Sequence, residues 1–407
     1  MAGMVEPRWH DVARATGLLA PDGTVAATIF AEMTALAGRT GAANLGQGFP
    51  DVDGPDFLKE AAVAAIRDEP NQYAPGSGVP ALRRAVAAHQ QRHYGLQADP
   101  DTEVLVTVGA TEGIAASIMA FAGPGDEVLT LEPFYDSYAA IIALTGATHR
   151  TVPMRPAAGG FRIDPDDVAA AFTDRTRVLL VNSPHNPTGT VLSREELTAL
   201  AEQATANDVV VVTDEVYEHL TYGAEHIPIA TLPGMAERTL TISSAGKTLS
   251  FTGWKVGWVH GPAELVTGVR TVKQFLTYVA SGPFQHAVAK GLDDDGRTAS
   301  YVSGLRDSLW QRRDFLVGAL EEAGFAPLAP QGTYFVAADA AGLGHDDAAT
   351  LCRELPELAG VVGVPISAFC TPGGAVAESL RSWVRFTFVK SPEVLERAVE
   401  GLQRLRT

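Results

Sequence analysis

Several residues of this chain have types and positions that could do chemistry. Lys247 follows a candidate strand, RTLTIS, and precedes a glycine-rich segment, TLSFTGWKVGW. An amine placed there, away from water, can serve as a nucleophile and then as a carrier of protons. Asp214 closes the run DVVVVT and could hold a ring nitrogen in its protonated form. Tyr217, three residues on, would share its helical face, and together with Asn186 of NSPHNPTG it could donate to a phenolic oxygen. Ala110 and Thr111, after Gly109 and ahead of an apolar helix, offer free N–H groups and a hydroxyl for a phosphate, to which Ser244 and Lys255 would add a hydroxyl and a positive charge. Phe134 could stack on an aromatic ring. Arg385, in VRFTFV, could clamp a carboxylate through two parallel hydrogen bonds.

Each of these residues also has an ordinary reading. Lys247 could be an exposed loop lysine, Asp214 the N-cap of a helix starting near Glu215, Asn186 part of a turn, Phe134 a core residue and Arg385 an edge-strand charge. What argues for chemistry is the combination. Pyridoxal 5'-phosphate needs an amine for its aldehyde, a carboxylate for its pyridine nitrogen, an aromatic face for its ring and backbone donors at a helix N-terminus for its phosphate. All four are present. GATEGI lacks the G-x-G-x-x-G spacing of a dinucleotide fingerprint.

The elements that must position these groups can be read from the same stretches. Val- and Leu-rich runs, EVLVTV, DEVLTL, RVLLVN and DVVVVT, alternate with helical segments from about Thr111, from about Asp136 and over SREELTALAEQA. Such alternation predicts an α/β fold with a mostly parallel sheet flanked by helices. In open parallel sheets ligands bind beyond the carboxyl ends of the strands. The candidate residues fall there. After about Pro283 the pattern becomes a long amphipathic stretch, SYVSGLRDSLWQRRDFLVGALEEAG, then short strands (TYFVAA, VVGVPI, WVRFTFV) and a terminal helix. The expected organisation is an N-terminal arm over 1–43 packing on the smaller domain, a large cofactor domain over 44–283 and a smaller α+β domain over 284–407.

Composition sets limits on partners. The chain has 407 residues, 46% of them hydrophobic and 19% charged, with a formal net charge of −17. That balance predicts no general attraction to nucleic acid or to anionic membrane. No apolar run approaches the ~20 residues of a membrane span, and the N-terminal segment, broken by charges and prolines, has no signal-peptide pattern. Two widely spaced cysteines, Cys352 and Cys370, suggest small buried hydrophobes in a cytoplasmic protein.

Taken together, the chain resembles the class I aminotransferases of pyridoxal-phosphate fold type I. The resemblance rests on NLGQGFPD, NQYAPGSG, NSPHNPTG, TDEVYEHL, SSAGKTLSFTGWKVGW, PQGTYF, VPISAF and VRFTFVK, spread over nearly the whole chain. It implies exchange of an amino group between an amino acid and a 2-oxo acid. Lys247 would form the Schiff base with the cofactor, Asp214 would face the pyridine nitrogen, Asn186 and Tyr217 the phenolic oxygen, and Phe134 the ring. Ala110, Thr111, Ser244 and Lys255 would hold the phosphate. Tyr73 would reach the phosphate of a neighbouring subunit, implying a homodimer with shared sites. Gly46, Asn186 and Arg385 would bind the substrate. Phe275, Tyr278 and Phe284 lie where side-chain specificity is expected. Within the class, the motifs are similar to the kynurenine, glutamine and methionine aminotransferase branch, and most to bacterial members that act on N-succinyldiaminopimelate in lysine biosynthesis. A β-lyase acting on cysteine S-conjugates is the alternative of another reaction class.

Overall fold

The computed structural model describes residues 7–293 and 296–406. Its centre is an eight-stranded sheet. From one edge to the other the strands are Val104–Val108, Val256–His260, Thr239–Ser244, Val210–Asp214, Thr176–Asn182, Glu127–Glu132, Thr148–Ala157 and Gly160–Ile163. Only Val256–His260 and Gly160–Ile163 run against their neighbours.

The central strands carry apolar residues on both faces because both faces are covered. Leu129, Leu179, Val181 and Val211 pack on one side with Leu197 and Leu200 of the helix Arg194–Ala206. Their neighbours Val128, Val178, Leu180 and Val212 pack on the other, against Ile114 and Ile118 of the helix Gly109–Phe121. The helix within SREELTALAEQA begins as its sequence suggests: Ser193 and Glu196 exchange hydrogen bonds with each other's backbone in a capping box. Strand register then aligns the functional ends. Asn182 pairs with Asp214, Asp214 with Ile242, and Ser244 with Gly257.

A second sheet of four antiparallel strands follows in the order Ala326–Leu328, Phe335–Asp339, Trp383–Thr387 and Val364–Pro365. Helices Arg297–Ala323, Ala348–Leu358 and Pro392–Leu402 supply its core with Leu316, Leu320, Leu351, Leu355, Leu395 and Leu402. Ala43–Asn44 pairs in parallel with Val361–Val362, tying the start of the large domain to this side.

Helix Ile29–Thr40 buries Met33 and Ala37 in the cluster around the four-stranded sheet, and helix Trp9–Ala15 packs on helix Ser137–Thr145 beside the large sheet. Residues 1–6 of the arm lie outside the described residues. The helix Gly282–Leu292 straddles the expected border at 283. It packs against helices Asp56–Asp68 and Pro80–Tyr94, because Val288, Ala289 and Leu292 complete the apolar cluster of Leu58, Leu82 and Val86. The strands Thr148–Ala157, Gly160–Ile163 and Val256–His260 also escaped the sequence pattern. The first two mix polar and apolar residues at a sheet edge, and the third is short and interrupted by Gly257. Cys352 and Cys370 are buried free thiols, pushed up in pKa by burial. No helix among the described residues is long and apolar enough to cross a membrane.

Candidate active site

The carboxyl ends of the strands Val104–Val108, Glu127–Glu132, Thr176–Asn182, Val210–Asp214 and Thr239–Ser244 open on one cavity of about 340 Å³. The smaller sheet closes it with Phe335 and Arg385, the arm with Phe30, and the segment just after the arm with Gln47. Ala110, Thr111, Asn186, Asp214, Tyr217, Ser244, Lys247, Lys255 and Arg385 all line it.

Lys247 lies in a single helical turn, Ala245–Thr248, directly after its strand. Its Nζ donates to the Tyr334 hydroxyl at 2.8 Å, and that hydroxyl donates to the Gly48 carbonyl at 2.5 Å. The amine also faces the rings of Tyr217 and Tyr334, at 5.6 and 5.5 Å from their centroids. It is therefore held by one neutral partner and no carboxylate, which leaves a nucleophile that need not break an ion pair to react.

Asp214 is buried at the end of its strand. Its Oδ2 accepts from the Tyr138 hydroxyl at 2.6 Å and its Oδ1 weakly from the Val216 N–H at 3.4 Å. Burial pushes the carboxyl above its ordinary pKa, and those two donors only partly oppose it. A cationic N–H presented from the cavity would reverse that shift.

No helix follows Asp214, contrary to the sequence expectation. The Glu215 N–H stays tied to the Ile242 carbonyl of the neighbouring strand at 2.8 Å, so the chain leaves the sheet through a turn. That turn places Tyr217 in the cavity wall, its phenol held protonated by burial. Asn186 hangs from the next strand end, where its N–H donates to Asn182 Oδ1 at 2.7 Å.

Helix Gly109–Phe121 points its N-terminus into the cavity and carries no side-chain cap. Gly109 adopts φ +71°, and a Cβ on Gly257 would stand 2.5 Å from the Gly109 carbonyl carbon. Only glycine lets that strand pass so close to the helix end. Lys255, itself left-handed at φ +53°, brings Nζ to 3.2 Å from where a Gly109 Cβ would be. Unpaired backbone donors, the helix dipole, a lysine and the Thr111 and Ser244 hydroxyls make a local anion site in an otherwise acidic protein.

Arg385 is only 2% exposed. Its Nη1 donates to Asn186 Oδ1 at 3.0 Å and its Nη2 to the Gly46 carbonyl at 2.9 Å, while Nε has no partner. The guanidinium lies over Phe335 at 4.1 Å and Phe369 at 4.5 Å. Among the described residues it makes no ion pair. Removing a charge from water costs several kcal/mol. Two hydrogen bonds to neutral acceptors, about 1.5–3 kcal/mol each, orient the cation without neutralising it. Burial lowers its pKa to about 10. A carboxylate entering the cavity would complement it.

Two expected residues lie elsewhere. Phe134 is buried against His149, with ring centroids 4.8 Å apart, and it does not line the cavity. The inward ring is that of Tyr135. Tyr73 is 81% exposed, beside Tyr278 at 5.3 Å. Phe275, Tyr278 and Phe284 do not line the cavity within this chain. Sequence reasoning also passed over Tyr138, Asn182 and Tyr334. Asn182 closes a strand that was recognised, but the inward turn of the two tyrosines is set by packing.

The donor set fits pyridoxal 5'-phosphate: an amine, a buried carboxyl, an aromatic ring and an uncapped helix end converge on one cavity. Comparison with known proteins agrees. Residues 40–402 match the model of the family "Aminotransferase class I and II". A probable N-succinyldiaminopimelate aminotransferase of Mycobacterium tuberculosis is 54% identical over 385 residues, covering 93% of this chain and 96% of that protein. The methionine aminotransferase of Escherichia coli is 38% identical over 379 residues, again covering 93% and 96%. The solved structure of N-succinyldiaminopimelate aminotransferase from Mycobacterium tuberculosis superposes with a TM-score of 0.91 at 51% identity, covering 99% of this chain and 100% of that one.

Proposed function

The chain belongs to the class I and II aminotransferases and depends on pyridoxal 5'-phosphate, and we propose that it transfers the amino group of N-succinyldiaminopimelate to 2-oxoglutarate. The donor leaves as its oxo derivative and 2-oxoglutarate as glutamate. One observation carries the site assignment: the buried Arg385, without an ion pair among the described residues, shares a cavity with the Lys247 amine and the Asp214 carboxyl. The choice of donor rests on the 54% identity to the mycobacterial relative.

When bound, the cofactor supplies an electron sink for the pair left as the substrate Cα–H bond breaks. Lys247 Nζ anchors it, then takes the Cα proton and returns it as the acid. Asp214, kept in place by Tyr138, holds the ring nitrogen protonated. Asn186 and Tyr217 donate to the phenolic oxygen, and Ala110, Thr111, Ser244 and Lys255 bind the phosphate. Tyr135 takes the stacking place first expected for Phe134, supported by its position in the cavity wall. Arg385, with Gly46 and Asn186 beside it, grips the substrate carboxylate and so fixes which Cα bond stands across the ring.

The enzyme works as a homodimer in this reading. Tyr73, Phe275 and Tyr278 are 81%, 85% and 40% exposed, an aromatic group that a second copy would cover. Two bodies meet at the cavity, with the border after helix Gly282–Leu292. The free, buried cysteines suit a cytoplasmic enzyme. The test is a donor panel with 2-oxoglutarate that includes N-succinyldiaminopimelate, methionine and kynurenine, read as glutamate formed. The highest kcat/KM belongs to N-succinyldiaminopimelate in this account. A higher value for methionine would move the chain to its methionine-specific relatives, and pyruvate release from a cysteine conjugate faster than transamination would make it a lyase.

A further inference from the structure

Three histidines converge on the back of the turn that carries Tyr217, outside the cavity. His89 and His93 stand at i and i+4 on helix Pro80–Tyr94, one above the other on the same face. His219 approaches them from the turn, two residues past Tyr217. The ring centroids are 4.5 Å apart for His89 and His93, 4.9 Å for His89 and His219, and 4.8 Å for His93 and His219. One nitrogen from each ring lies within 4.8 Å of the others, and the Nε2 atoms of His89 and His219 are 2.7 Å apart. We propose that His89, His93 and His219 form a binding site for one divalent transition-metal ion of the zinc type, which clasps helix Pro80–Tyr94 to the turn after Asp214.

The surroundings favour a cation. Glu218 is buried directly behind the cluster, its Oε2 3.9 Å from His219 Nε2. Both its oxygens are occupied by hydroxyl donors, Tyr94 at 2.8 Å and Ser243 at 2.5 Å, as suits an ionised carboxylate. A buried carboxylate beside three converging imidazoles favours a bound cation.

Burial is graded in a way that permits entry. His89 is buried, His219 half-buried and His93 exposed, so an ion could arrive from solvent and keep a water as fourth ligand. Little rearrangement is needed. Two nitrogens on one tetrahedral zinc at ~2.0–2.1 Å stand ~3.3 Å apart, so the His89 and His219 rings must separate by about 0.6 Å, within reach of small side-chain rotations.

The test uses tag-free holoenzyme, treated with a chelator, dialysed and titrated with Co2+ and then Zn2+. Wild type should take up one equivalent of Co2+ per chain with the intense visible absorption of a tetrahedral site, and Zn2+ should displace it. His93→Ala and His219→Ala should each weaken Co2+ binding by about tenfold or more. Zn2+ should raise the thermal midpoint of wild type and not of either variant, while His93→Ala keeps wild-type transamination, which also shows that it is folded. Co2+ uptake by wild type no greater than by His93→Ala, or no rise in the wild-type midpoint with Zn2+, would overturn the proposal.

Discussion

The cavity has two unlike walls. On the wall built by the eight-stranded sheet, two groups are held from their own side: Asp214 by Tyr138 of the covering helix Ser137–Thr145, and the Asn186 backbone by Asn182, which also donates to the Asp214 carbonyl at 2.8 Å. The wall built by the four-stranded sheet reaches across the gap instead. Arg385 bonds to Asn186 and Tyr334 accepts from Lys247, each partner standing on the opposite wall. The difference separates two tasks. The first wall holds Asp214 whatever the second does, whereas Arg385, which reads a substrate carboxylate, and Lys247, through Tyr334, are correctly placed only when both walls are in contact.

Substitutions on the two walls should therefore fail differently. Asp214→Ala should lower kcat on the order of 10³-fold and weaken cofactor binding, measured by half-reaction kinetics and equilibrium dialysis. A near-normal kcat would remove Asp214 from the proton chemistry. Arg385→Lys should act on the other wall, because an ammonium cannot reproduce the guanidinium fork. The loss of one charged hydrogen bond, about 1.5–3 kcal/mol, predicts a fall in kcat/KM of about 10- to 150-fold, carried mainly by KM. If kcat fell instead with KM unchanged, the division of labour would be wrong.

Tyr138→Phe probes the support rather than the group supported. Losing the 2.6 Å donor raises the Asp214 pKa further, so kcat should drop up to about tenfold with its acidic limb moved to higher pH. An unmoved limb would mean that Tyr138 only fills space. The smallest effect concerns stability. Burial lowers the pKa of His185 to about 3 and of His149 and His260 to about 4, against 6.5 ordinarily. Their folded values lie below the unfolded one, so the unfolded chain binds more protons once pH falls below about 6.5. Stability is then complete above that value and declines toward pH 4, by up to about 1.4 kcal/mol per pH unit for each histidine. All three belong to the large-sheet side, and hydrogen exchange at pH 5 should quicken there before it does in strands Phe335–Asp339 and Trp383–Thr387. Simultaneous loss in both sheets would deny the walls any independence.

The two walls also differ in how much of them the sequence makes legible. Lys247, Asp214, Asn186 and the Gly109 region follow segments legible as strands, so the rule that ligands gather at strand ends located them without further information. Arg385 could be assigned to a strand face by period-two alternation. Tyr334 could not, because it lies in a turn beside Thr333, whose φ is +65°, and its direction depends on the distant Gly48 carbonyl. Phe134 and Tyr135 are adjacent aromatics in an irregular segment, where no period tells which ring turns inward. The helix expected after Asp214 failed for a related reason. A hydrogen bond to the neighbouring strand, invisible locally, outweighed helical propensity.

The central claim is that Lys247 is the residue bonded to the cofactor. Borohydride reduction of the holoenzyme fixes that bond, and peptide mapping by mass spectrometry then locates it. The account predicts one pyridoxyl group per chain on the peptide containing Lys247, and none in Lys247→Ala. A label on Lys255 or Lys390, or a Lys247→Ala protein that is still labelled and still transaminates, would contradict it.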